Sequence, residues 1–90
     1  MGTALIKLKI MPGSPETDLE KIKKEARKRI KNQGAEITNF EEEEIAFGLK
    51  ALYAFIKIDE SKETDFIENT LSEIPEVSGV EIVDYRRAIE

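Results

Sequence analysis

From Thr3 to Met11 apolar and polar positions alternate. Ala4, Ile6, Leu8 and Ile10 fall on one side of an extended chain, and Leu5, Lys7, Lys9 and Met11 on the other, the period-two pattern of a half-buried strand. Pro12-Gly13-Ser14-Pro15 ends it, because two prolines and a glycine within four residues cannot continue a ladder. The period then changes. Leu19, Ile22, Ala26 and Ile30 recur at spacings of three and four, which predicts a helix with one narrow apolar stripe. Thr17-Asp18-Leu19-Glu20 has the capping-box form, with the Thr17 hydroxyl as the expected cap and Glu20 reaching back. Asn32-Gln33-Gly34 closes the helix, with Gly34 placed as a left-handed cap.

The stretch 35–45 alternates imperfectly around Ile37 and Phe40 and ends in four consecutive glutamates, which predicts an edge strand whose charge discourages further pairing. Leu49 to Ile58 is apolar on both faces, as in a central strand. Between the two lies Ala46-Phe47-Gly48-Leu49, a bend that sets a large aromatic among small residues and gives the backbone, at Gly48, freedom to take a positive φ. After the polar turn 59–62, Thr64 is the expected cap of a second helix with Asp65 in its first turn. Ile67, Leu71 and Ile74 form that helix's buried stripe, and Pro75 ends it. Val77 to Tyr85 reads as a last strand and residues 86–90, Arg86-Arg87-Ala88-Ile89-Glu90, as a tail.

The order strand, helix, strand, strand, helix, strand is two split βαβ units with right-handed crossovers. The expected fold is α+β: a ferredoxin-like βαββαβ sandwich, with a four-stranded antiparallel sheet carrying both helices on one face. The other face would be open, with Lys7, Lys9, Tyr53 and Phe55 on it. Ninety residues make a single domain, 1–90, around one core.

Composition narrows the chemistry. No cysteine or histidine is present, which excludes disulfides and thiolate chemistry and removes the commonest general base and metal ligand. An enzyme, a metal site or a bound cofactor is therefore not expected. The Lys7- and Lys9-interrupted N-terminal strand is neither signal peptide nor membrane span, so the default compartment is the cytosol. Net charge is −5, but unevenly spread: residues 1–34 carry nine basic and four acidic side chains, residues 35–90 five and fifteen.

Charge and aromatics raise two nucleic-acid readings. The basic first helix has the composition of a phosphate-binding stripe, yet solvated basic faces are ordinary on surface helices and the whole chain is acidic, so no stable nucleic-acid binding is expected. Tyr53 and Phe55 on the open sheet face give the alternative of an RNA-binding domain of RRM-like topology. The first strand, however, offers lysines where that family stacks an aromatic. The run Glu41 to Glu44 has the oxygen donors of a hard-cation site, but alternation along a strand sends neighbouring side chains to opposite faces. Phe47 either folds back as a core plug or stands out to anchor a partner.

Ile45-Ala46-Phe47-Gly48-Leu49-Lys50-Ala51-Leu52, the strand ending Lys9-Ile10-Met11-Pro12, the Asp18-Leu19 helix start and Val80-Glu81-Ile82-Val83-Asp84-Tyr85-Arg86-Arg87 together resemble the archaeal translation elongation factor 1-beta family over essentially the whole chain. The resemblance implies guanine-nucleotide exchange on the GTPase elongation factor 1-alpha, by protein binding and without nucleotide held by this chain. It implies that Phe47, flanked by Ala46, Gly48 and Lys50, wedges into the GTPase. The eukaryotic relatives also use a lysine near the C-terminus against the magnesium and phosphate site. This chain has none there, which leaves Arg86 or Arg87 as the expected cation.

Overall fold

A computed structural model describes residues 2–62 and 64–88. The elements run β1 (Thr3–Pro12), α1 (Leu19–Asn32), β2 (Glu36–Glu44), a tight turn (Ala46–Gly48), β3 (Lys50–Asp59), α2 (Asp65–Ser72) and β4 (Val77–Ala88). The strands form one sheet in the order β2-β3-β1-β4, every neighbouring pair antiparallel. With both helices on one face, this is the ferredoxin-like sandwich expected from the periodicity.

Alternation explains the core. Ala4, Ile6, Leu8 and Ile10 of β1 lie beside Leu52, Ala54, Ile56 and Ile58 of β3, all buried, and onto them pack Ile22, Ala26 and Ile30 of α1 and Ile67 and Leu71 of α2. Ala51 is also fully buried although it points to the open face, where it pairs with Glu43. The imperfect alternation of β2 has a local cause: the register shifts between Ile37 and Asn39. The bulge at Thr38 lets both Ile37 and Phe40 reach the core side. A second shift, between the Lys7 and Leu8 pairings, leaves Val83 of β4 unpaired and exposed.

Several element ends differ from expectation. Helix α1 is capped by Asp18, not Thr17: the Asp18 carboxylate accepts from Glu20 N–H at 3.0 Å. Thr17 is instead buried, its Oγ1 accepting from Ser14 N–H at 3.3 Å, so it closes the preceding loop. Thr64 occupies the cap position of α2 but makes no side-chain cap bond, because its own backbone is already helical (φ −98°, ψ −10°). Helix α2 stops at Ser72, and the buried Ile74 belongs to the turn that follows. There Val77 N–H donates to Ile74 O at 3.2 Å around Pro75 and Glu76, the latter at φ 70°, the backbone of a type II turn. Gly13 N–H donates to Glu76 O at 2.7 Å and ties this turn to the β1–α1 loop.

The expected tail is strand for three more residues. Arg86 pairs with Leu5 and Arg87 with Ala4, continuing β4 to Ala88, while Ile89 and Glu90 lie outside the described residues. Polar residues on both faces hid this extension from the hydrophobic pattern. β1 likewise runs one residue further, through Pro12, and β3 starts one residue later, at Lys50.

Candidate partner-binding site

The turn between β2 and β3 is built from its backbone outward. Leu49 N–H donates to Ala46 O at 3.2 Å, and both residues between have positive φ, Phe47 at 62° (ψ 31°) and Gly48 at 77°. That is the form of a type I′ turn, which suits the twist of antiparallel strands. Ile45 N–H also donates to Leu49 O at 2.9 Å, so Leu49 faces two residues of the incoming strand, the count of a bulge. Gly48 is needed for its φ rather than for room: a Cβ there would stand 3.8 Å from Pro15 Cβ, an ordinary contact.

Phe47 is the residue that should not be there. A non-glycine side chain in the left-handed region costs about 1 kcal/mol or more, and the ring recovers none of it by burial, being 93% exposed. It is presented, not plugged. Ala46, Gly48 and Lys50 are exposed around it, and Lys50 Nζ lies 4.0 Å from Glu42 Oε1. Beneath the turn a hollow of ≈ 160 Å³ is lined by Pro12, Ser14, Pro15, Thr17, Leu19, Gly48 and Lys50. The β1–α1 loop thus belongs to the same end of the molecule. Its Pro12-Gly13-Ser14-Pro15 run signals only a break in the strand; the Thr17–Ser14 bonds that close the loop and the approach of Pro15 to Gly48 become visible only in three dimensions.

Arg86 and Arg87 are not brought to Phe47. Lys50 is at the level of the β1 end and Arg86 at Leu5, a separation of about 23 Å at roughly 3.3 Å per residue. Arg86 Nε lies 2.9 Å from Asp84 Oδ2 and Arg87 Nε 3.7 Å from Glu60 Oε2, all at the surface.

The open sheet face is already occupied by its own side chains. Lys7 Nζ sits 4.7 Å from the Tyr53 ring centroid and 5.7 Å from that of Phe55, a cation–π arrangement. The Tyr53 hydroxyl donates to Glu43 Oε1 at 3.1 Å, and desolvation first, then the Glu43 carboxylate, holds this phenol above its ordinary pKa. A shallow groove beside them is lined by Leu5, Lys7, Thr38, Phe55, Asp84 and Arg86. The glutamate run divides: Glu43 reaches Tyr53 on the open face, whereas Glu42 bonds Lys23 of α1 at 2.9 Å on the other. Among the described residues no three carboxylates gather as a metal site, and no helix is long and apolar enough to cross a membrane.

Residues 5–88 match the family model described as the EF-1 guanine nucleotide exchange domain. The chain is 44% identical over 85 residues to elongation factor 1-beta of Methanocaldococcus jannaschii, covering 93% of this chain and 96% of the relative. It is 42% identical over 88 residues to that of Methanothermobacter thermautotrophicus (97% and 98% covered). Against the Staphylothermus marinus protein of the same name it is 40% identical over 84 residues (91% and 92%).

Proposed function

Because the chain belongs to the elongation factor 1-beta family of guanine-nucleotide exchange proteins, we propose that its target is the GTPase elongation factor 1-alpha, on which it promotes GDP release and GTP loading. The observation that carries the proposal is Phe47, an aromatic held outside the core at 93% exposure by a strained turn. Strain of this kind persists where the surrounding structure over-determines it, and it clusters at working sites.

Exchange needs no bond chemistry. A protein that prefers the nucleotide-free GTPase weakens the nucleotide's hold by the same factor, through linkage. Burying a phenylalanine is worth roughly 1.5–3 kcal/mol, which converts to about a 10- to 100-fold change in release rate. Phe47 is the anchor, with Ala46, Gly48 and Lys50 around it. Arg86 and Arg87 make a second contact at the far end of the sheet; their exposed ion pairs with Asp84 and Glu60 are weak enough to exchange for a partner's anions. An arginine there presents a planar fork where a lysine would present a compact ammonium. The sheet face is less suited to stacking RNA bases, since Lys7 already covers Tyr53 and Phe55.

The test is release of a fluorescent GDP analogue from the cognate elongation factor 1-alpha. Substoichiometric protein should accelerate it catalytically. An unchanged release rate would overturn the proposal.

A further inference from the structure

Helix α1 sorts its basic residues into two sets. Lys23 is bonded to Glu20 and Glu42 at 2.9 Å each, Arg29 to Glu25 at 3.2 Å, and Arg27 donates to Ile37 O at 3.0 Å while lying over the Phe40 ring. These flank the buried face and serve the fold. Lys21, Lys24, Lys28 and Lys31 are exposed and make no ion pair among the described residues. At steps of three, four and three they form one line along the solvent apex of the helix, opposite Ile22, Ala26 and Ile30. The line is about 15 Å long at 1.5 Å per residue.

This segregation stands out in a chain of net charge −5 with nineteen carboxylates. The acidic groups of the helix itself are taken up by its other basic set, Glu20 by Lys23 and Glu25 by Arg29, and Glu76 lies across the groove that Lys21 and Lys24 also line. The neighbouring helix carries the opposite sign, with Asp65 and Glu68 on α2 and Glu73 just after it. No aromatic side chain stands on that ridge to stack a base, and its one amide, Asn32, comes only in the last turn, four residues after Lys28. Four flexible point charges in a row, with no aromatic among them, match a regular line of phosphates.

We propose that the Lys21–Lys24–Lys28–Lys31 ridge of α1 is a weak, sequence-independent docking surface for an RNA phosphate backbone, since it offers a line of charges but no apolar side chain to seat in a lipid surface. It is distinct from the Phe47 turn and does not depend on how that turn acts. Contact with three or four phosphates gives a slope of about −3 in log affinity against log salt, a roughly 60-fold loss between about 50 and 200 mM.

The experiment is fluorescence anisotropy of a labelled RNA hairpin with a long duplex stem, titrated with the whole protein across that salt range. The variant in which all four lysines become glutamine should keep its thermal midpoint and its nucleotide-release activity, and should lose both the binding and the slope. Absence of salt-dependent binding by the wild type would overturn the proposal, as would an unchanged slope in the variant. Equal capture by phosphatidylglycerol vesicles would overturn the choice of RNA. So would a variant that binds RNA normally but fails in nucleotide release, since the ridge would then be part of the GTPase contact.

Discussion

A phenylalanine at φ 62° with its ring in solvent separates two quantities that usually move together in mutagenesis. Phe47→Ala keeps the left-handed backbone and removes a ring that touches little, so chemical denaturation should show a stability change within about 0.5 kcal/mol. Phe47→Gly relieves the backbone and should be no less stable, or more stable by up to about 1 kcal/mol, than Phe47→Ala. Both should slow GDP release by roughly 10- to 100-fold. A large loss of stability with unchanged release would assign the ring to the fold instead.

At the scale of elements, caps and ion pairs can be told apart by substitution. Asp18→Ala removes the bond to Glu20 N–H and should cost about 1 kcal/mol. Thr64→Ala should cost less than about 0.5 kcal/mol, because Thr64 caps nothing with its side chain. The Lys23–Glu42 pair that fastens α1 to β2 is pH-limited on both sides. Its hydrogen bond to Lys23 depresses the Glu42 pKa, so that stabilisation is present above the ordinary glutamate value of about 4.3 and is lost as pH falls through the lower folded value. Lys23 is raised, by Glu42 first and then Glu20, so its share holds below about 10.4 and goes as pH rises through the higher folded value. Glu42→Gln should therefore lower stability near neutrality by about 1 kcal/mol or less. In urea titrations from neutrality into acid, the gap from wild type should close below the glutamate range.

Much of this layer was legible in the chain, for a physical reason: the β1, α1 and β3 patterns are long and strictly periodic, and burial follows the period. What was not legible depends on partners distant in sequence. The threonine and aspartate at 17 and 18 are both acceptable caps, and only the loop bond to Ser14 takes Thr17 away. Arg86 and Arg87 carry no apolar signal, and only their pairing with Leu5 and Ala4 makes them strand. For the candidate site, the Phe47 bend was visible through Gly48, whereas neither the ring's exposure nor the adjoining Pro15 loop follows from local pattern.

On the scale of the whole molecule, the body measures 42 × 22 × 18 Å, with Phe47 and the two arginines at opposite ends of the sheet. Sites that far apart without shared partners act additively. Combining Phe47→Ala with Arg86→Ala and Arg87→Ala should multiply their separate effects on GDP release, to within about 0.5 kcal/mol in the summed barrier. A marked shortfall from that product would mean that the GTPase reads the two ends as one unit.

The two positive-φ residues of the Phe47 turn have a calorimetric consequence. Their backbone entropy is surrendered when the chain folds, so docking the ring leaves no loop to be ordered. Association should then show only the small negative heat-capacity change of covering a ring and its surroundings, without the large one of coupled folding. An exchange protein must also let go of its product. With Phe47 as the proposed anchor already arranged, the complex is expected to be brief without being slow to form.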